Sequence, residues 1–231
     1  VFYISKYLDN FINLIFPKFS DGSLTLNKYI NKESLFESKD FFRKLDREEK
    51  EVFENIYVAF KYDKYLNKLI ERIKLGYEWD IANELSENFY ERIWNETDYF
   101  IPNPDIITVV AKDKKRFKKR GFDFPTILAT NLCTKLQSEE IISHQISFIN
   151  KLSTTYQQSS ISKEERKINL EGRLEIRNDF STKEIEIISK SEIIWIVDDV
   201  ISTGTTLFEN ARLIKKEFPH LQIFGLVLSG N

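Results

Sequence analysis

The run Ile193-Ile194-Trp195-Ile196-Val197-Asp198-Asp199-Val200-Ile201-Ser202-Thr203-Gly204-Thr205-Thr206-Leu207 constrains this chain more than any other stretch. Its first five residues are large and apolar with no polar alternation, the pattern of a strand covered on both faces inside a parallel sheet. Two adjacent acids follow, then the small residues Ser202, Thr203, Gly204, Thr205 and Thr206, then a helical face of Leu207, Ala211, Ile214 and Phe218. An open α/β sheet takes its ligands beyond the carboxyl ends of its strands, and that is where the acids and small residues fall.

The small-residue segment suits an anion. Backbone N–H groups at a helix start lack intrahelical acceptors, the helix dipole is positive there, and the hydroxyls of Ser202, Thr203, Thr205 and Thr206 add donors. Gly204 lets the backbone be approached closely. No lysine follows in the Walker manner, so the loop is expected to hold a monoester phosphate rather than a nucleoside triphosphate. Asp198 and Asp199, a few residues away, suit the vicinal hydroxyls of a sugar or a hydrated Mg²⁺. The competing reading is a plain helix start whose dipole the two acids stabilise.

The remaining pattern supplies a sheet for this unit. Ile56 to Phe60 reads as a strand, Leu66, Leu69, Ile70 and Ile73 as one helix face, and Ile81, Leu85, Phe89 and Ile93 as the next. Beyond a turn at Pro102 to Pro104 come a strand over Ile106 to Ala111, a helix over Pro125 to Leu136 and a strand over Ile146 to Ile149. A helix over Ser162 to Asn169 opens on the capping-box spacing Ser162 and Glu165, followed by the strand from Ile193, a helix over Thr205 to Glu217, and a strand over Ile223 to Leu228. Strands alternating with helices predict an α/β fold with a mostly parallel sheet and flanking helices. Residues 1–51 read as a helical N-terminal appendage, with Ile4, Leu8, Phe11, Ile12 and Ile15 on one face and a charged helical stretch over Asp40 to Glu51. Residues 52–231 form the main domain.

Composition narrows the function. The 34 basic and 36 acidic residues leave a formal charge of -2, so no global field commits the chain to nucleic acid or to an anionic membrane. Cys133 is the one cysteine, so a disulfide framework and a thiolate zinc cluster are not expected, and a cytoplasmic location is. His144 and His220 are too far apart for a metal spacing. Apolar runs fall short of the roughly 20 residues of a membrane span, so no membrane insertion is expected, and Lys6 and Asp9 argue against a signal peptide. With no methionine in the chain, Val1 is not expected to be the translated start.

The segment Ile194 to Leu207 resembles the 5-phosphoribosyl-1-pyrophosphate (PRPP) motif of type I phosphoribosyltransferases. Two further stretches look like the ComF family of competence-associated phosphoribosyltransferase-like proteins. One is Lys119-Arg120-Gly121-Phe122-Asp123 followed by Ile127-Leu128-Ala129; the other has Gln158, Ile161, Arg166, Asn169 and Gly172 at fixed spacing. Phe60, Tyr62, Leu66, Ile70 and Lys74 also fit that family. The resemblance implies a type I phosphoribosyltransferase-like fold. It implies PRPP or another phosphorylated sugar as ligand with Mg²⁺, Asp198 and Asp199 on ribose hydroxyls and metal, and Ser202, Thr203, Gly204, Thr205 and Thr206 around the 5′-phosphate. Gln158, Arg166 and Asn169 are implied as family-motif site residues. It further implies a role in natural transformation, with single-stranded DNA and a competence helicase as partners.

Departures accompany the likeness. Leu14-Ile15-Phe16-Pro17 is followed by Lys18-Phe19-Ser20-Asp21, where the family usually begins a zinc-binding cysteine module, so zinc is not expected. Thr108-Val109-Val110-Ala111 replaces the family's proline-containing segment, and Asp123 stands where Asn is general. Between Lys112 and Arg120, seven of nine residues are basic: Lys112, Lys114, Lys115, Arg116, Lys118, Lys119 and Arg120, with Phe117 interleaved. Three roles fit this loop: a lid that neutralises pyrophosphate, a single-strand nucleic-acid contact with Phe117 as stacking face, or a solvated loop. Two functions follow, a Mg²⁺-dependent phosphoribosyltransferase with an unidentified acceptor, and a non-catalytic protein that handles single-stranded DNA through the phosphate cradle and basic loop.

Overall fold

The computed structural model describes residues 43–62, 64–76, 79–94, 101–113, 115, 117–118, 121–152 and 173–230. The elements in chain order are β1 (Asn55–Lys61), α1 (Lys64–Gly76), α2 (Trp79–Trp94), β2 (Ile106–Val109), α3 (Phe124–Ser138), β3 (His144–Gln145), β4 (Ile149–Lys151), β5 (Leu174–Ile176), α4 (Thr182–Lys190), β6 (Ile193–Ile201), α5 (Thr205–Glu217) and β7 (Gln222–Gly230). The helices expected in residues 1–42 and over 162–169 lie outside the described residues.

Five parallel strands form the main sheet in the order β1-β7-β6-β2-β3. The most apolar strand, β6, is interior, between β7 and β2. Its alternation sends Trp195 and Val197 into a core shared with α1, α2 and α3, while Ile194 and Ile196 enter a second core with α4 and α5. All four side chains are fully buried, as expected of a strand with helices on both faces. Trp94 closes over Trp195 with ring centroids 4.8 Å apart. No helix among the described residues is long and apolar enough to cross a membrane.

The expected α/β architecture is present, with local corrections. The helical stretch expected over Asp40 to Glu51 is, in its described part, a single 3-10 turn at Glu49–Glu51. The Arg43 amide donates instead to Ile56 O at 3.0 Å, which draws this segment along β1. The strand expected over Ile146 to Ile149 falls largely in the gap between two short strands: β3 ends at Gln145 and pairs with β2, while β4 begins at Ile149 and pairs antiparallel with β5. β5 and α4 were not expected, although Ser181 and Glu184 make a reciprocal capping box at the start of α4. The strand expected over Ile106 to Ala111 stops at Val109.

Gly225 in β7 sets the depth at which α5 lies on the sheet. A Cβ there would sit 3.0 Å from both Ile56 Cγ1 and Leu207 Cδ2, so a side chain would push the first turn of α5 outward. Valine has the better strand propensity, so Gly225→Val isolates the steric effect. The variant is expected to lose about 1–3 kcal/mol of stability in urea unfolding; unchanged stability would show that α5 is not seated by this contact.

Candidate phosphate and sugar site

The acid pair emerges where β6 loses a neighbour. The last β2–β6 pair is Val109 with Val197, whereas β7 continues alongside to Gly230 opposite Ile201. Asp198 and Asp199 therefore stand beside the gap left by the end of β2. Alternation places Asp199 on the α1 side of the sheet, where Lys74 Nζ lies 2.7 Å from its Oδ2. Asp199 is 7% exposed, and the ammonium is its counter-charge. Asp198 Oδ1 accepts the Asp199 amide at 2.9 Å. Burial, and then the neighbouring Asp199 charge, hold the Asp198 carboxyl well above the usual carboxylate range, against the opposing pull of that hydrogen bond and of Lys74.

The loop after β6 is built as a sharp entry into α5. Gly204 has φ 79°, a left-handed conformation that glycine adopts without steric cost, and it offers α5 no side-chain cap. The Thr203 and Thr205 hydroxyls are 2.9 Å apart, and Thr205 N makes a long 3.4 Å bond to Thr203 Oγ1. The first helical hydrogen bond is Phe208 N to Gly204 O at 2.8 Å. Ser202 and Thr206 are exposed, Thr203 and Thr205 half-buried. Donors at a first turn have no partner inside the helix, so this end of α5 can receive an oxyanion.

Residues that sequence reasoning missed complete the surroundings. Asn210, fully buried, accepts the Ala111 amide through Oδ1 at 2.8 Å and donates through Nδ2 to Thr206 O at 2.7 Å. It thereby ties the segment leaving β2, the root of the basic stretch, to α5. An amide within the apolar stripe of Leu207, Ala211 and Ile214 was the signal that could have found it. Lys74 is a position of the family resemblance, and nothing local in the sequence marks it as the partner of Asp199. Arg43 had no local signal, yet its guanidinium reaches the loop, where Nη2 donates to Thr203 O at 3.3 Å.

Asp123 caps α3, accepting Thr126 N at 3.3 Å and Thr126 Oγ1 at 2.7 Å. Burial raises its carboxyl, the Thr126 hydroxyl and Lys112 lower it, and Asp199 raises it. The Gly121-Phe122-Asp123 stretch thus lies within electrostatic reach of the acid pair. In the basic stretch, Lys115, Phe117 and Lys118 are helical and exposed rather than looped, since Asp113 O accepts the Phe117 amide at 2.8 Å. Lys114, Arg116, Lys119, Arg120, Gln158, Arg166 and Asn169 lie outside the described residues.

The raised Asp198 carboxyl makes a stability statement. The folded protein holds this proton more tightly than the unfolded chain, so the associated stability is present below the ordinary carboxyl range and is lost as pH rises through the folded-state value. Asp198→Asn removes the ionisation. The variant is expected to melt higher than the parent at neutral pH, with the difference closing as pH falls towards about 4. Thermal melts at several pH values check this, and a gap independent of pH would contradict it.

No family model matches the chain. It is 26% identical over 180 residues to Competence protein F of Haemophilus influenzae, an alignment covering 75% of this chain and 72% of that protein. Among solved structures, the xanthine-guanine-hypoxanthine phosphoribosyltransferase of Helicobacter pylori superposes with a TM-score of 0.38 at 12% identity, over 67% of this chain and 86% of its own. The hypoxanthine phosphoribosyl transferase of Trypanosoma cruzi gives 0.30 at 14% identity, over 72% and 66%.

Proposed function

We propose that this ComF-like protein with a phosphoribosyltransferase-type sheet binds PRPP, or another phosphorylated sugar, beyond the carboxyl end of β6. One observation carries the reading: the acid pair and the small-residue helix start adjoin at the strand end where β2 has stopped. The loop from Ser202 to Thr206 would take the 5′-phosphate and Asp198 and Asp199 the ribose hydroxyls. Both carboxyls suit that role, because the raised Asp198 carboxyl favours the form that can donate, while Asp199, beside Lys74, presents acceptor oxygens.

The donor set also bears on Mg²⁺. Among the described residues no group of three or more His, Cys, Asp or Glu side chains could hold a metal ion, and Asp199 is already paired with Lys74. The two carboxyl groups would fit an ion that arrives with phosphate oxygens and keeps several waters, as Mg²⁺ does, with Asp198 giving up its proton when the ion binds. Bound in that form it would neutralise charge on the pyrophosphate leaving group. The chain's own contribution is positioning, with the basic segment from Lys112 to Arg120 stabilising leaving-group charge as an unidentified nucleophile displaces pyrophosphate at the anomeric carbon. A cytoplasmic setting fits the single cysteine, whose buried thiol is pushed up by desolvation.

A second reading, single-stranded DNA handling in natural transformation with a competence helicase as partner, is favoured by Phe117. This residue is 43% exposed amid basic residues, with Lys112 Nζ 5.8 Å from its ring centroid, the makings of a cationic stacking face. The name of the Haemophilus relative adds to it.

Calorimetric titration with PRPP, with and without Mg²⁺, and with a short oligonucleotide separates the two. The enzyme reading expects Mg²⁺-dependent PRPP binding that falls tenfold or more in the Asp198→Asn, Asp199→Asn double variant, at about 1.5–3 kcal/mol for hydrogen bonds to charged groups, and pyrophosphate release once an acceptor is supplied. The DNA reading expects log K against log salt to fall with a slope up to roughly -5 if all seven cations engage. Serine at four of them should flatten that slope by about 3. PRPP binding that is absent or indifferent to the acid pair would end the first reading, and an unaltered salt slope would move DNA away from this segment.

A further inference from the structure

Arg43 enters the phosphate loop from the far end of the described chain. Its amide is fixed to Ile56 O, so the residue runs beside the edge strand β1, and its side chain crosses to the start of α5. A Cβ on Gly204 would collide with Arg43 Nη1 and lie 2.9 Å from Cζ, so the guanidinium rests directly on the open face of that glycine. Nη1 pairs with Glu49 Oε1 at 2.7 Å. Glu49 is itself locked, since its amide donates to Asp46 Oδ1 at 2.9 Å and its Oε2 accepts the Asp46 amide at 3.1 Å. The guanidinium is thus set in place before any ligand arrives.

Its location runs against the usual electrostatics. The start of a helix is the positive end of its dipole and favours anions, yet the charged group resting on the α5 start is a cation. The first turn of α5 contains no acidic residue and Gly204 supplies no cap. Glu49 compensates Arg43 from one side only, through Nη1. Nη2 makes a 3.3 Å bond to the neutral Thr203 carbonyl, at the long end of the range, and charged oxygen is the stronger acceptor for a guanidinium. A group that satisfies the helix start and Nη2 together is an anion with several oxygens.

We propose that Arg43 is a ligand of the phosphate held by the Ser202 to Thr206 loop, so that the segment preceding β1 completes the site. The inference rests on the phosphate-binding reading above and adds to it a residue that the loop motif does not contain. Guanidinium and loop amides would grip different oxygens of one phosphate monoester, and Glu49 would keep the fork aimed.

The test titrates ribose 5-phosphate and inorganic pyrophosphate into the full chain and into Arg43→Gln and Arg43→Lys, with thermal melts alongside. Arg43→Gln is expected to weaken ribose 5-phosphate about tenfold to a hundredfold, while pyrophosphate, which the basic segment would bind, changes by less than about twofold. Arg43→Lys, keeping the charge without the fork, should recover part of the loss. If the glutamine variant does not fold, a selective loss of ribose 5-phosphate affinity in Arg43→Lys carries the proposal. Unchanged or tighter ribose 5-phosphate binding without Arg43 would make the guanidinium a latch or a plug and overturn the proposal while the phosphate loop stands. Equal losses for both ligands would overturn it as a general structural effect. A parent protein that binds neither ligand would sink the phosphate reading and the proposal together.

Discussion

The Lys74 ammonium beside Asp199 is what allows a strand buried on both faces to end in two adjacent carboxylates. Taking a carboxylate out of water costs several kcal/mol even after relaxation, and a second charge on the next residue adds repulsion. β6 meets this in two ways. One acid faces α1 and receives a counter-ion at 2.7 Å, while the other keeps its proton more readily than an ordinary carboxyl. The arrangement leaves one acceptor and one potential donor side by side, a pairing suited to vicinal hydroxyls. It also ties α1 to the candidate site: one of the helices sharing the core of Trp195 and Val197 carries the cation beside Asp199.

A second dependency runs through α5. Gly225 lets Leu207 settle onto the sheet beside Ile56, which fixes where the loop from Ser202 to Gly204 must turn. Asn210, one helical turn on, then binds the Ala111 amide and fixes the chain leaving β2. The loop from Ser202 to Gly204, the root of the basic stretch and, through Thr203, Arg43 are thereby referred to one helix. The segments leaving β2 and β6 meet at this terminus because a parallel sheet places the carboxyl ends of its strands along one edge, and the Arg43 side chain reaches it from beside the start of β1.

Much of this was legible in advance where pattern and burial coincide. β6, α5 and α1 follow from uninterrupted or periodic apolar residues, because a strand covered on both faces and a helix with one apolar stripe each leave a distinct signature. Short elements were not. β4 and β5 are three residues each, stabilised by pairing with each other across an intervening 20 residues outside the described structure, so no local period marks them. α4 is an exception, since the capping box at Ser181 and Glu184 is a local sequence signal that marks its start. The helical reading of residues 43–48 failed because a main-chain bond to Ile56 outweighs a local charge pattern that helix and extended chain accommodate equally.

What the sequence by itself determined is the linear order of strand, acid pair, small-residue turn and helix, and hence the kind of chemistry that gathers at one strand end. These are local properties: side-chain burial, backbone freedom at Gly204, and donors at a helix start. Only the tertiary structure decided which charges meet there. Lys74 and Asp199 lie 125 positions apart and Arg43 and Thr203 lie 160 apart. Such pairings follow from which helix covers which face of the sheet and how deeply it is seated. Coulomb energy and hydrogen bonding depend on separation in space, and no sequence period encodes that separation.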